Sequence, residues 1–200
     1  MNTETIPYNH FVSGLAKPGQ AIIDSLSPTL AELWHMAGEL RGEFLELEIA
    51  INKRDRQNIL EEAGDMLFFL QGGLSSISLY LHTRSDLQEF CRKLTREHYH
   101  EFFQRNPHLV IRQQPVEEFA TRAKRIVIYG QAIAAHRSKM KVAALAIVYH
   151  LMDLLEYHGF TLEDAFTSNR KKLAERYQAL GYSDSASTER ADKTNDPADQ

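Results

Sequence analysis

The stretch that decides the fold is GEFLELEIAINKRDRQNILEEAGDMLFFL, residues 42–70. Its apolar residues recur in steps of three and four on both sides of a polar break at Asn52-Lys53-Arg54, which predicts two amphipathic helices joined by a short turn. Asp55 can cap the second helix, because its side chain can accept a hydrogen bond from a free N–H group of the first turn. The stretch therefore predicts an antiparallel helix hairpin.

The helical pattern continues over most of the chain. Ser27 and Pro28 are suited to start the first helix, and the apolar repeat of the second helix extends to Leu81. Four further helices are predicted over residues 85–105, 115–129, 141–157 and 161–181. The short run His108–Ile111 is the only candidate strand, and Pro residues flank it closely. We expect an all-α fold built from antiparallel helix hairpins.

Composition limits the class of protein. The 200 residues include 43% hydrophobic and 25% charged residues, which is enough for one domain with a core. The net charge of −4 gives no reason to expect a nucleic-acid or membrane partner. A single cysteine, Cys91, excludes an internal disulfide. The first ten residues have neither a basic start nor an apolar core, and the longest apolar-leaning runs are too short or too polar for a membrane span, so we expect neither a signal peptide nor a membrane helix. We expect a cytoplasmic protein.

Three segments are predicted. Residues 1–26 contain helix-breaking Pro and Gly and form an N-terminal arm. Residues 27–182 form the all-α domain. Residues 183–200 have no large apolar residue, so we expect a disordered tail.

Four acidic residues stand out in the hairpin. Glu43 and Glu46 lie three residues apart on the first helix, and Glu62 and Asp65 lie three apart on the second, so each pair shares one helix face beside the apolar stripe. When the hairpin folds about its turn, Glu43 falls level with Asp65 and Glu46 falls level with Glu62. The sequence therefore predicts that four carboxylates converge.

Converging carboxylates repel each other unless a positive charge lies between them. Oxygen ligands suit a hard cation, so the predicted ion is magnesium or manganese and not zinc. The alternative interpretation is that these acids are solvated residues on the flanks of two helices, which is common for single acidic pairs.

Four segments carry a resemblance to a known family. The segments HMAGELRGEFLEL (35–47) and EEAGDMLF (61–68) resemble the two acidic motifs of the MazG-like all-α nucleoside triphosphate pyrophosphohydrolases. GFTLEDAF (159–166) and NRKKLAERY (169–177) resemble the closing helix of that family. Apart from Asn106–His108, which resembles a loop of that family, residues 83–122 match no part of the family pattern and are predicted to be a helical insertion.

The resemblance implies a reaction and its residues. Enzymes of this family hydrolyse nucleoside triphosphates to the monophosphate and pyrophosphate with magnesium held by acidic residues. Carried over by position, the metal ligands are Glu43, Glu46, Glu62 and Asp65. The catalytic candidates are Glu43 and Glu46, of which Glu46 is our choice for the group that takes a proton from water. The resemblance also implies deoxynucleotide substrates, a role in control of the nucleotide pool, and a homodimer or homotetramer.

The resemblance also implies contacts to phosphate or sugar. Asn169, Lys172, Arg176 and Tyr177 fall on one side of the last helix and match the family's substrate-binding positions. The alternative is that basic residues at this helix end only complement the helix dipole. His35 stands where family members carry a polar residue near the nucleotide, or else it is a packed core residue.

An internal repeat is a further hypothesis. Aligning MLFFL (66–70) with IVYHL (147–151) sets Asp65 against Ala146, Glu62 against Ala143 and Glu43 against Lys124. The second hairpin would then be a copy that has lost its acids. In that case each chain has one metal site, and either Lys124 or Arg125 faces the phosphates.

Two other functions compete with hydrolysis. Glu32–His35 and Glu97–His100 have the ExxH spacing of ferritin-like di-iron carboxylate bundles, in which Glu62 and Glu118 would complete the ligand set. The other alternative is a non-catalytic helical partner protein that keeps the bundle without the chemistry.

Overall fold

The computed structural model describes residues 19–79, 81 and 86–177 of the chain. Within these residues the chain forms α-helices and one 3-10 turn, Pro107–Leu109, and contains no strand. The predicted all-α fold is confirmed. The predicted tail 183–200 and most of the predicted arm 1–26 lie outside the described residues.

The described part of the chain contains eight α-helices. In chain order they are α1 (Gly19–Ile23), α2 (Pro28–Lys53), α3 (Arg56–Ser76), α4 (Leu87–Cys91), α5 (Arg96–Arg105), α6 (Gln113–Val127), α7 (Ile133–Tyr157) and α8 (Leu162–Arg176).

The predicted hairpin of α2 and α3 is confirmed, including its caps. The Ser27 hydroxyl accepts a hydrogen bond from the Leu30 N–H (3.2 Å), and the Asp55 carboxylate accepts one from the Asn58 N–H (3.1 Å). Arg54 takes a left-handed backbone conformation (φ 58°), which reverses the chain in place of a glycine. The turn is therefore two residues long, and the helices run antiparallel.

Several predicted helix boundaries are wrong. The helix predicted over residues 85–105 is broken into α4 and α5, because Thr95 caps α5 by accepting a hydrogen bond from the His98 N–H (3.3 Å). Helix α7 begins at Ile133 and not near residue 141, and α3 ends at Ser76 and not near residue 81. The candidate strand at residues 108–111 begins inside the 3-10 turn.

Two hairpins and one closing helix form the bundle. Helix α2 packs against both α3 and α6, the second hairpin is formed by α6 and α7, and α8 packs on α3. The apolar repeat in steps of three and four along α2 is largely buried in these contacts. Leu30 and Ile51 at its two ends are half-buried, and the residues between them are buried: Leu33, Ala37, Leu40, Phe44 and Leu47. No helix of the described residues is both long enough and apolar enough to cross a membrane.

Gly64 lets α8 approach α3 closely. A Cβ atom at this position would lie 2.8 Å from the carbonyl oxygen of Ala165 and 2.9 Å from the Cβ of Asn169. Glycine is unfavourable inside a helix by about 1 kcal/mol relative to alanine, so its presence in α3 requires a reason in packing. That reason is the contact with α8, which carries Asn169 and Lys172.

Substitution of Gly64 tests this contact. We expect Gly64→Ala to destabilise the protein by about 1–3 kcal/mol, since the added methyl group would overlap α8. Gly38→Ala is the matched control, because a Cβ at Gly38 meets nothing within 4 Å, and it should stabilise α2 by about 0.5–1 kcal/mol. Urea denaturation of both variants measures the difference. A neutral or stabilising Gly64→Ala would contradict the close approach.

Candidate metal site

Three carboxylates meet between α2 and α3. The hairpin register, in which Met36 contacts Gly72, also brings Glu43 beside Glu62 and Asp65. Each of these acids offers a carboxylate oxygen that lies within 4.8 Å of the others. Glu62 is buried, while Glu43 and Asp65 are half-buried, so the group lies at the edge of the core. The structure thus brings together three of the four predicted metal ligands.

Glu46 lies at the rim of this group. Its side chain is exposed, and it does not belong to the set of oxygens that lie within 4.8 Å. Three residues along an α-helix rotate the side chain by about 300°, so Glu46 points about 60° away from Glu43. Its charge still acts on the group, because it raises the pKa of both Glu43 and Glu62.

Helix α8 supplies hydrogen-bond donors and a positive charge. The Asn169 Nδ2 donates to Asp65 Oδ1 (2.6 Å), and the Lys172 ammonium forms an ion pair with Asp65 Oδ2. Asn169 is buried, and the side chains of Lys172 and Asp65 are only 16% and 17% exposed. Two of the residues predicted to bind substrate therefore stand directly beside the acids.

The electrostatics of the group favour retention of a proton. Burial raises the pKa of Glu43 to about 8, and the charge of Asp65 and the hydrogen bond to Glu62 add to that shift. Burial also raises the pKa of Glu62. These shifts favour a protonated Glu43 that is hydrogen-bonded to Glu62 near neutral pH, and this protonation would relieve part of the repulsion in the group.

The end of α8 carries the other predicted substrate-binding residues. Arg176 is the last residue of α8, one helical turn beyond Lys172, and Tyr177 follows as its C-cap. Both side chains are half-buried. Their role toward phosphate or sugar stays a prediction.

His35 and Lys124 lie on exposed surfaces. The His35 side chain is 61% exposed, lies 3.8 Å from the Glu39 carboxylate and faces the Phe69 ring edge-on, so the alternative of a packed core histidine is wrong. Lys124 is exposed in the last turn of α6. Ala143 and Ala146, the proposed counterparts of Glu62 and Asp65, are fully buried. The contact of either His35 or Lys124 with a nucleotide remains a prediction.

The residues of the di-iron alternative are not brought together. Glu32, His35, Glu97 and His100 are exposed. Glu118 forms an ion pair with Arg122 at 2.6 Å. Within the described residues, the only group of three potential metal-ligating side chains is Glu43, Glu62 and Asp65. The geometry therefore favours the hairpin acids over the di-iron ligand set.

The three acids fit a small hard cation. Magnesium binds oxygen at about 2.1 Å in octahedral geometry, so two of its ligand oxygens stand about 3–4 Å apart. The carboxylate oxygens here lie within 4.8 Å of one another, which small side-chain movements would bring to that range. Carboxylates without sulfur or imidazole ligands suit magnesium or manganese.

Sequence reasoning did not identify the groups that hold α8 in place. Gly64 lies within the second acidic motif, and its unfavourable position inside a helix was the available signal. The Glu163 carboxylate of α8 accepts hydrogen bonds from Gln88 (2.8 Å) and from two nitrogens of Arg92 (2.9 and 3.1 Å). These contacts join distant segments, so no spacing rule reveals them.

Comparison of the chain with family models, with curated proteins and with solved structures found no match.

The pKa of Glu43 predicts how stability depends on pH. Between the ordinary pKa of 4.5 and the raised value of about 8, the folded chain binds more protons than the unfolded chain. The contribution of this group to stability is therefore present at acid pH and is lost as pH rises toward 8. In the absence of divalent cations, we expect Glu43→Gln to flatten this slope and to raise the Tm at pH 8 by about 2–4 °C, the shift that 1 kcal/mol gives in a chain of this size.

Thermal unfolding from pH 5 to 9 in EDTA measures this effect. Glu32→Gln is the matched control, since it removes an exposed acid from the same helix and should leave the slope unchanged. Parallel pH profiles for the wild type and Glu43→Gln would show that Glu43 does not hold a proton in the folded chain.

Proposed function

We propose that this protein hydrolyses nucleoside triphosphates to nucleoside monophosphate and pyrophosphate, with magnesium or manganese bound by Glu43, Glu62 and Asp65. The observation that carries the proposal is the meeting of three carboxylates between α2 and α3, with Lys172 beside them. The resemblance of the two acidic motifs and of the closing helix to the MazG-like pyrophosphohydrolases supports the same reaction. Deoxynucleotides are the proposed substrates, and control of the nucleotide pool is the proposed role.

The acids and Lys172 have separate proposed roles in binding a triphosphate: the acids bind the divalent cation, and Lys172 binds a phosphate oxygen. A divalent cation at this site would neutralise phosphate oxygens and lower the pKa of a bound water. Glu43, Glu62 and Asp65 supply its oxygen ligands. The Lys172 ammonium, already beside Asp65, is within reach of a phosphate oxygen at the same place, and Asn169 keeps Asp65 oriented.

Glu46 is the proposed proton acceptor. It is exposed at the rim of the group, where water has access, and its carboxylate does not belong to the three that meet. A carboxylate that stands near a metal site without serving as a main ligand can take the proton of the attacking water. The proposed assembly is a homodimer or homotetramer, as the resemblance implies.

The reaction is tested by pyrophosphate release from all common ribo- and deoxynucleoside triphosphates with magnesium or manganese. We expect Glu43→Gln and Asp65→Asn to lower kcat at least about 100-fold while remaining folded, because loss of a ligand should exceed the 10–100-fold effect typical of outer-shell partners. Circular dichroism and thermal unfolding verify folding.

Glu61→Gln is the matched control for these variants. Glu61 neighbours Glu62 in α3, but its carboxylate is hydrogen-bonded to Gln57 (3.1 Å) and lies outside the group of three. Its activity should equal that of the wild type. Full turnover in both site variants would refute the assignment of the site, and absence of pyrophosphate release from every substrate would refute the reaction.

Substitution of Lys172 should change the affinities for magnesium and for the triphosphate in opposite directions. Removal of its charge in Lys172→Met should tighten magnesium binding without nucleotide, because the ion pair with Asp65 no longer competes. The same change should raise KM for the triphosphate about tenfold or more, since a charge-assisted hydrogen bond is lost. Isothermal titration with magnesium and steady-state kinetics measure the two effects. A parallel loss of both affinities would contradict the role given to Lys172.

A further inference from the structure

A cavity of about 680 Å³ opens between the 3-10 turn, α6 and α7. It lies on the opposite side of α2 from the carboxylates of Glu43, Glu62 and Asp65, which we call the acidic group. Arg41 of α2 donates to Glu117 in the cavity wall (2.8 Å), whereas Glu43, two residues later, faces α3. Two residues rotate a helical side chain by about 200°, so these neighbours point to opposite sides of α2. The cavity is therefore a separate place in the bundle.

The cavity has an apolar floor and a polar rim. Leu109, Val142 and Ala143 supply the floor, and Leu109 and Ala143 are buried. The side-chain amides of Gln113 and Gln114 line the wall formed by α6. An apolar surface bordered by a few polar groups, at a volume of about 300–1,000 Å³, is typical of sites for small organic ligands.

The charges that remain unpaired in the cavity are positive. Its two carboxylates are already engaged, since Glu117 pairs with Arg41 at 2.8 Å and Glu118 pairs with Arg122 at 2.6 Å. Lys139 of α7 and His108 of the 3-10 turn also line the cavity, and neither has a hydrogen bond or ion pair to any residue that the structure describes. Besides the Lys139 ammonium and the His108 imidazole, the lining offers a ligand uncharged polar side chains: those of Asn106, Gln113, Gln114, Thr121 and Ser138.

Backbone N–H groups add little to the positive potential in the cavity. The α6 helix begins in the cavity wall, but the Gln114 N–H is already bonded to the Ile111 carbonyl (3.0 Å) and Pro115 has no N–H. An anion would therefore be recognised by side chains, with Lys139 as the main source of charge.

We propose that this cavity binds a phosphate-bearing small molecule of nucleotide size. Lys139 and His108 would contact its phosphate, and the floor of Leu109, Val142 and Ala143 would cover its ring. This site does not depend on the acidic group or on hydrolysis of a triphosphate. It would bind its ligand without a metal, because its side chains already supply the positive charge.

Calorimetric titration of the full chain in EDTA tests the site, with inorganic phosphate, adenosine 5′-monophosphate and uridine 5′-monophosphate as probes. Without divalent cations the acidic group repels phosphate, so binding reports on the cavity alone. We expect at least one monophosphate to bind saturably and more tightly than inorganic phosphate, since only its ring covers the apolar floor. Equal affinity for both monophosphates and inorganic phosphate, or no saturable binding, would overturn the proposal.

Three variants locate the bound probe. Lys139→Gln should weaken monophosphate binding about tenfold or more, whereas Lys141→Gln, which removes the same charge outside the cavity lining, should not. Thr121→Trp should weaken binding by occupying part of the cavity from its exposed wall. Lys172→Met, which removes the positive charge beside Asp65, should leave binding in EDTA unchanged, which separates this site from the acidic group. Equal weakening by Lys139→Gln and Lys141→Gln, or a strong effect of Lys172→Met, would overturn the assignment.

Discussion

Repulsion among three carboxylates between α2 and α3 is the constraint on which the rest of this structure depends. Glu43, Glu62 and Asp65 stand within 4.8 Å of one another at the edge of the core, where water screens their charges poorly. The raised pKa of Glu43, which favours its protonated form, and the ion pair of Asp65 with Lys172 both relieve this repulsion. A divalent cation could take over both functions. An arrangement that is unfavourable for folding alone is typical of functional sites, and the metal site proposed above would account for it.

The position of α8 determines which charges reach the acids. Gly64 allows the backbone of α8 to approach α3, so that Asn169 and Lys172 meet Asp65. The other end of α8 is held through Glu163, whose carboxylate accepts hydrogen bonds from Gln88 near the start of α4 and from Arg92 just after its end. Helix α4 belongs to the segment 83–122, which, apart from Asn106–His108, did not match the family pattern. The segment 83–122 therefore helps to hold α8 in place, and α8 carries Lys172, whose ammonium pairs with Asp65.

The hairpin could be predicted from sequence because its determinants are local. The cap at Asp55, the break before it and the apolar steps of three and four fix both helices and their antiparallel register, and this register brings Glu43 to Asp65. The exposure of Glu46 was not predicted. Residue spacing shows which side chains share a helix face, but it does not show how much of that face is covered by the neighbouring helix. The break ahead of Thr95 was missed, since a capping residue inside an apolar repeat is ambiguous. The docking of α8 depends on contacts between residues about a hundred positions apart, which no local pattern contains.

The difference between the two hairpins explains why only one of them carries an acidic group. Where α3 has Glu62 and Asp65, the internal alignment places Ala143 and Ala146 in α7, and both alanines are fully buried. Alanine at these two positions lets α7 pack without burying a carboxylate. This helix therefore needs neither protonation of an acid nor a lysine from a neighbouring helix to relieve repulsion. The repulsion among the acids of α3 is therefore offset by packing elsewhere in the bundle. Helix α7 contributes the most buried side chains among the described helices, with thirteen buried residues among its twenty-five. A chain with acids in both hairpins would carry twice the repulsion with no second α8 to relieve it.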